Sequence, residues 1–151
     1  MKSMSNQEIA EAMRNHHALM AQQLHTLAGH VVTQKEEWGT ARNEVGMYLT
    51  DDILPHAAAE ELTIYRVAAQ VDSMKGLIDS MLFEHGVIRE IREKLMAASM
   101  WEEAVTFSTE AAKLFEIHAE KENRFIIAVL EPRSDVDLAS VLGDMHHLLS
   151  R

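Results

Sequence analysis

The chain has 151 residues, a net charge of −10, 47% hydrophobic and 25% charged residues, nine histidines and no cysteine. These values suit one soluble domain over residues 1–151, and they exclude a disordered chain, a disulfide scaffold, a thiolate nucleophile and any cysteine-bound zinc or iron–sulfur site. The acidic balance argues against nucleic acid and anionic membranes as partners, no apolar run nears the roughly 18 residues of a membrane span, and the N-terminus lacks the apolar core of a secretion signal, so a cytoplasmic protein is expected.

Only two prolines and six glycines punctuate a chain dominated by good helix formers, so the expected fold is all-α. The first predicted helix opens at Ser5, with Glu8 placed three residues on for a capping box. Its apolar stripe runs Ala10, Met13, Met20, Leu24, Leu27 and Val31, and the slot between Met13 and Met20 falls to His17. The pattern fades over 33–41. The second helix spans 41–71 and aligns Val45, Leu49, Ile53, His56, Glu60 and Ile64, with Pro55 inside it as an expected kink. The third, over 73–98, carries Met74, Ile78, Met81, His85, Ile88 and Leu95. The fourth opens at Ser99 with Glu102 as a second capping box. It carries Ala104, Phe107, Ala111, Leu114, His118, Glu122, Phe125 and Val129, and stops at Pro132. A short fifth helix follows, with Ser134 as its expected cap. Long helices on short connections predict an up-down-up-down four-helix bundle with a short C-terminal fifth helix.

Each apolar stripe is broken in the same chemical way: His17, then His56 with Glu60, then His85, then His118 with Glu122. Residues four apart on a helix differ by about 40° around the axis and about 6 Å along it, so each His–Glu pair points into one region. Imidazoles and carboxylates buried without compensation would cost several kcal/mol each, whereas ligands that share cations carry no such penalty. Imidazole plus carboxylate without thiolate suits iron, manganese or zinc, and four histidines with two carboxylates suit two metals better than one. The histidine-rich donor set favours two iron ions, an Fe–O–Fe pair; manganese and zinc accept the same donors. His16 is the alternative to His17, and Glu61 and Tyr48 are further candidate ligands. Tyr65 stands about 180° from His56 on a straight helix and is disfavoured. His25, His30, His146 and His147 are expected at the surface.

These stretches, "NHHALM", "ILPHAAAEELTIY", "LFEHGVIREI" and "FEIHAEKENRF", resemble the hemerythrin-like, or HHE cation-binding, family from Met13 to about Val129. The resemblance implies a bundle around a carboxylate-bridged di-iron centre, with His17, His56, Glu60, His85, His118 and Glu122 as ligands and the two glutamates as bridges. Oxygen-carrying members have a second histidine one turn along the third helix, where this chain has Arg89, and an aspartate five residues after the fourth-helix histidine, where it has Glu122 at four. That pattern looks closer to a branch associated with peroxide breakdown and with iron or oxygen chemistry. The function it implies is binding or reduction of dioxygen or peroxide, with a catalase- or peroxidase-like form. The alternatives are binding or sensing of oxygen or nitric oxide without turnover, and iron oxidation or storage. Met20, Leu24, Met81, Ile88, Leu114 and Phe125 are expected to line a dry pocket. No acid–base residue is nameable from sequence.

Overall fold

The computed structural model describes residues 3–150. Helix α1, Asn6–Thr33, starts at the expected capping box: the Glu8 backbone N–H donates to Ser5 Oγ at 3.2 Å, and the Ser5 N–H donates to Glu8 Oε2 at 2.7 Å. A 3₁₀ turn at Lys35–Glu37 leads into α2, Trp38–Tyr48.

The second predicted helix is not continuous. A π turn over Leu49–Ile53, in which the Leu54 N–H donates to the Leu49 carbonyl, separates α2 from α3, Leu54–Leu62. Pro55 thereby sits in the first turn of α3, where its missing N–H costs least, so the wide turn absorbs the proline. A second break falls at Thr63, whose φ of −126° and ψ of −92° leave the helical region, and α4 resumes at Ile64–Ala68. The Thr63 hydroxyl donates to the Ala59 carbonyl at 2.7 Å across that break.

Helix α5 spans Lys75–Met96 and α6 spans Trp101–Lys121. The expected Ser99–Glu102 box does not form; α6 begins after Met100 without a side-chain cap, and Ser99 Oγ reaches Glu103 instead. A second π turn, Glu122–Ile127, runs into α7, Ala128–Leu130. Its extra residue shifts the stripe, so Ile126, Ile127 and Leu130 are buried while Phe125, expected to face inward, is 51% exposed. The last helix, α8, is Leu138–Leu149 and is capped by Asp137, which accepts from the N–H groups of Ala139 and Ser140. The predicted cap, Ser134, lies before it.

The result is the expected all-α, up-down-up-down four-helix bundle with a short fifth helix, and no strand occurs among the described residues. Helix α1 lies against α6 and α2, α5 against α6, and α8 across α1 and α3. No helix of the described residues is long and apolar enough to cross a membrane.

The core is split in two. One apolar cluster holds Met20, Leu24, Leu49, Ile53, Ile88 and Phe115; the other holds Met13, Ile64, Met81, Ile126, Ile127 and Leu130. The six polar interruptions read from the sequence lie between these clusters on every long helix.

Asn6 ties the fifth helix to the first. Its Nδ2 donates to the Val136 carbonyl at 2.8 Å, and its Oδ1 accepts from the Leu138 N–H at 3.0 Å. Asn6→Ala strands both partners and is expected to cost about 1–3 kcal/mol in urea unfolding. A change within experimental error would mean that α8 is held by its apolar face alone.

Candidate metal centre

His17, His56, Glu60, His85, His118 and Glu122 are all buried, none more than 6% exposed. Helix α1 supplies His17, α3 the pair His56 and Glu60, α5 His85, and α6 with its π turn supplies His118 and Glu122. Two sets of ligand atoms converge, one from His17, His56 and Glu60 and one from Glu60, His85 and His118, each set within 4.8 Å. Glu60 belongs to both. Its Oε2 lies 3.5 Å from His17 Nε2 and 3.3 Å from His56 Nε2, and its Oε1 lies 3.7 Å from His85 Nε2. On the second side, Glu122 Oε1 is 3.3 Å from His118 Nε2.

The outer nitrogens explain how these rings are aimed. His17 Nδ1 is 2.8 Å from Asn123 Oδ1, His85 Nδ1 is 2.7 Å from Glu61 Oε2, and His118 Nδ1 is 2.9 Å from Glu84 Oε1. An Nδ1–H donated to an oxygen leaves the lone pair on Nε2, which is the tautomer a metal requires. Arg89 and Lys121 hold the two outer carboxylates, at 2.9 Å from Glu61 and 2.7 Å from Glu84. Glu61, a candidate ligand from sequence, thus faces the back of His85 and orients it. Arg89, at the position of the absent second histidine, anchors that carboxylate.

The donor set fits cations. His85 and His118 bring their Nε2 atoms within 3.0 Å of each other, and at most one proton can lie between them. His56 Nε2 is buried and near Glu60, yet no hydrogen bond is aligned on it. Lone pairs packed this closely repel unless a cation lies among them.

Electrostatics agree. Burial and the neighbouring His85 lower His118 to about 4, so its ring is neutral at pH 7. Burial, the charge of Glu60 and the hydrogen bond to Glu60 push Glu122 well above the usual carboxyl range. Burial works against the charge on Glu60, but His56, Glu122 and His17 outweigh it and hold that carboxyl well below its ordinary value. In the metal-free protein the two glutamates therefore share a proton, held on Glu122.

Tyr65 is the residue that sequence reasoning turned away. It is 1% exposed, and its hydroxyl lies 3.2 Å from His85 Nε2, from His118 Nε2 and from Glu122 Oε2. The straight-helix angle fails because Thr63 interrupts the helix between His56 and Tyr65. The only local cue is the β-branched pair Thr63 and Ile64. Burial, Glu122 and Glu60 push the Tyr65 phenol up, so it carries its proton here. Tyr48, preferred from sequence, is instead half-buried against the apolar cluster of Leu49 and Ile53, on the side of Asp52. The π turn between Tyr48 and His56 spoils the angle that favoured it.

His16 is exposed, its ring centroid 5.4 Å from that of His56, so His17 is the histidine of α1 that reaches the cluster. His146, expected only at the surface, is exposed but lines a cavity that ends on His17, His56 and Glu60. Met20, Leu24 and Ile88 are buried in one apolar cluster and Met81 in the other, Leu114 is half-buried and Phe125 exposed. None of the six expected pocket residues lines the cavity on His17, His56 and Glu60, which Met13, Ile64, Leu142 and Met145 wall instead.

A four-helix bundle with a buried layer of histidines and carboxylates between two apolar clusters defines a helical-bundle metal-binding protein. The family model of the hemerythrin HHE cation-binding domain matches residues 8–124, a span that holds all six polar positions, and the chain belongs to this family. No curated protein and no solved structure was found to match it.

Proposed function

We propose that the protein is a cytoplasmic non-haem di-iron protein that binds or reduces dioxygen or peroxide, in its enzymatic form with catalase- or peroxidase-like turnover. The observation that carries this reading is Glu60, whose two oxygens face two separate groups of histidine nitrogens. His17 and His56 would hold one ion, His85 and His118 the other, with Glu60 bridging and Glu122 as the second carboxylate. The chemistry such a ferrous pair would supply when bound is two electrons, one from each ion, for a small oxidant. The chain's own part is to hold the ligands, to aim the imidazoles through Asn123, Glu61 and Glu84, and to exclude water with the apolar clusters on either side.

Iron analysis and an absorption spectrum of protein grown in iron test the metal, and oxygen evolution on adding peroxide tests turnover. A protein containing zinc alone, or no metal, overturns the reading. Reversible binding of dioxygen, azide or nitric oxide without peroxide consumption selects the carrier or sensor, and ferrous oxidation with iron accumulation selects iron handling.

Tyr65 is placed to add a phenolate on the His85–His118 side, where the family's oxygen carriers have a further histidine. Ferric protein is then expected to show a visible phenolate-to-iron band that Tyr65→Phe lacks while keeping its iron. A band that survives in Tyr65→Phe assigns the hydroxyl to hydrogen bonding with Glu122 instead.

A further inference from the structure

A cavity of about 230 Å³ runs between α1, the α3–α4 break and α8, down to His17, His56 and Glu60. Its walls are Met13, Ile64, Leu142, Met145 and Leu149. His16 and His146 also line it, and because both are exposed while its floor is buried, they mark its open end. At the floor stands His56, 6% exposed, with its Nε2 free of any aligned hydrogen bond.

The size is out of proportion to the oxidants considered so far. A single water-sized molecule needs only about 10–15 Å³ measured in this way, and an apolar cavity of about 150 Å³ takes benzene. Beyond dioxygen or hydrogen peroxide the cavity leaves room for a larger apolar body. The polarity is graded as well: hydrocarbon walls lead to a floor of two imidazoles and a carboxylate, which suits a ligand with an apolar body and one oxygen-bearing head. Helix α8 closes one side of the cavity, and the Asn6 clamp sets its position.

From this geometry we infer that the cavity is a binding site for a small organic hydroperoxide, its hydrocarbon part of about six to nine carbons against Met13, Ile64, Leu142 and Met145 and its oxygen head toward His17 and His56. The inference rests on the di-iron reading for the identity of the head group. The hydrocarbon part is read from the walls alone.

The probe is 2-phenyl-2-propanol, an alcohol that keeps the apolar body and the oxygen but carries no peroxide bond, titrated calorimetrically into protein of measured iron content. Saturable binding at or below millimolar concentration is expected. Leu142→Trp fills the cavity from α8, and Ala12→Trp fills it from an exposed position of α1 where folding tolerates a large side chain. Each is expected to weaken binding about tenfold or more while iron content and helical circular dichroism stay unchanged. Absence of binding to iron-replete protein, or binding indifferent to both substitutions, overturns the inference and leaves the metal centre standing. A protein that takes up no iron overturns the metal reading and, with it, the hydroperoxide assignment.

Discussion

Glu60→Gln is expected to lose both ions, because each group of histidines has Glu60 as its carboxylate. Glutamine keeps the shape but offers no charge to balance a divalent cation, and one of its two head atoms can only donate. Glu122→Gln is expected to spare the ion at His17 and His56 and to weaken the one at His85 and His118, since Glu122 Oε1 approaches His118. Each ion present at about 100 times its Kd stabilises the native state by about 2.7 kcal/mol, so the two together contribute about 5.4 kcal/mol, which for a chain of this size is a Tm shift of about 10–20 °C. Wild type in metal is therefore expected to melt that much above Glu60→Gln. In chelator the order should vanish or reverse, because burying the Glu60 charge is then a cost with no metal to offset it. Elemental analysis and melting curves with and without chelator read both outcomes. Unchanged metal content in Glu60→Gln would refute the bridge.

The two halves of this structure were unequally legible. The stripes of α1 and α5 are uninterrupted helix, so His17 and His85 fall where simple periodicity puts them. His56 with Glu60, and His118 with Glu122, lie four apart within or at the end of a regular segment, and that spacing survives. Failures begin where the helix changes its period. The π turn after Tyr48 misplaces that residue, the break at Thr63 hides Tyr65, and the π turn from Glu122 sends Phe125 outward. A constant 100° per residue cannot anticipate an inserted residue, and irregular turns inside helices gather at functional sites. The outer partners had no signature of their role, and Glu61 stood out only as a candidate ligand beside Glu60. Glu61, Glu84 and Asn123 are ordinary polar residues on half-buried positions, and only the packing of α3 on α5, and of α6 with its π turn on α5 and α1, brings them to His85, His118 and His17.

Metal and pH should act on this centre in opposite senses. Burial opposes a charge on His17, but Glu60 and Asn123 outweigh it and raise that imidazole above its ordinary 6.5. Glu122 is likewise raised from 4.5. A group whose folded pKa is raised contributes stability that is complete below its unfolded pKa and is lost as pH climbs through the folded one. The Glu122 contribution thus declines from pH 4.5 upward and the His17 contribution from pH 6.5 upward. His118, lowered to about 4, behaves in reverse, and its contribution is lost as pH falls from 6.5 to 4. Between pH 4.5 and 6.5 the Glu122 and His118 trends oppose each other; above 6.5 the His118 contribution no longer changes and the His17 decline sets in. Metal-free protein is therefore expected to lose stability as pH rises above 6.5, each displacement of a pKa by one pH unit amounting to about 1.4 kcal/mol. Cations bind the deprotonated forms, so any proton held by Glu122 or His17 must leave as a metal is loaded, and affinity must rise with pH through the range in which these groups are protonated. Melting the loaded and metal-free proteins at pH 6 and pH 8 should show the gap between them widening at pH 8, and loading in weak buffer at pH 7 should acidify the solution. A gap of equal size at the two pH values, with no proton released, would mean that neither His17 nor Glu122 gives up a proton to a metal.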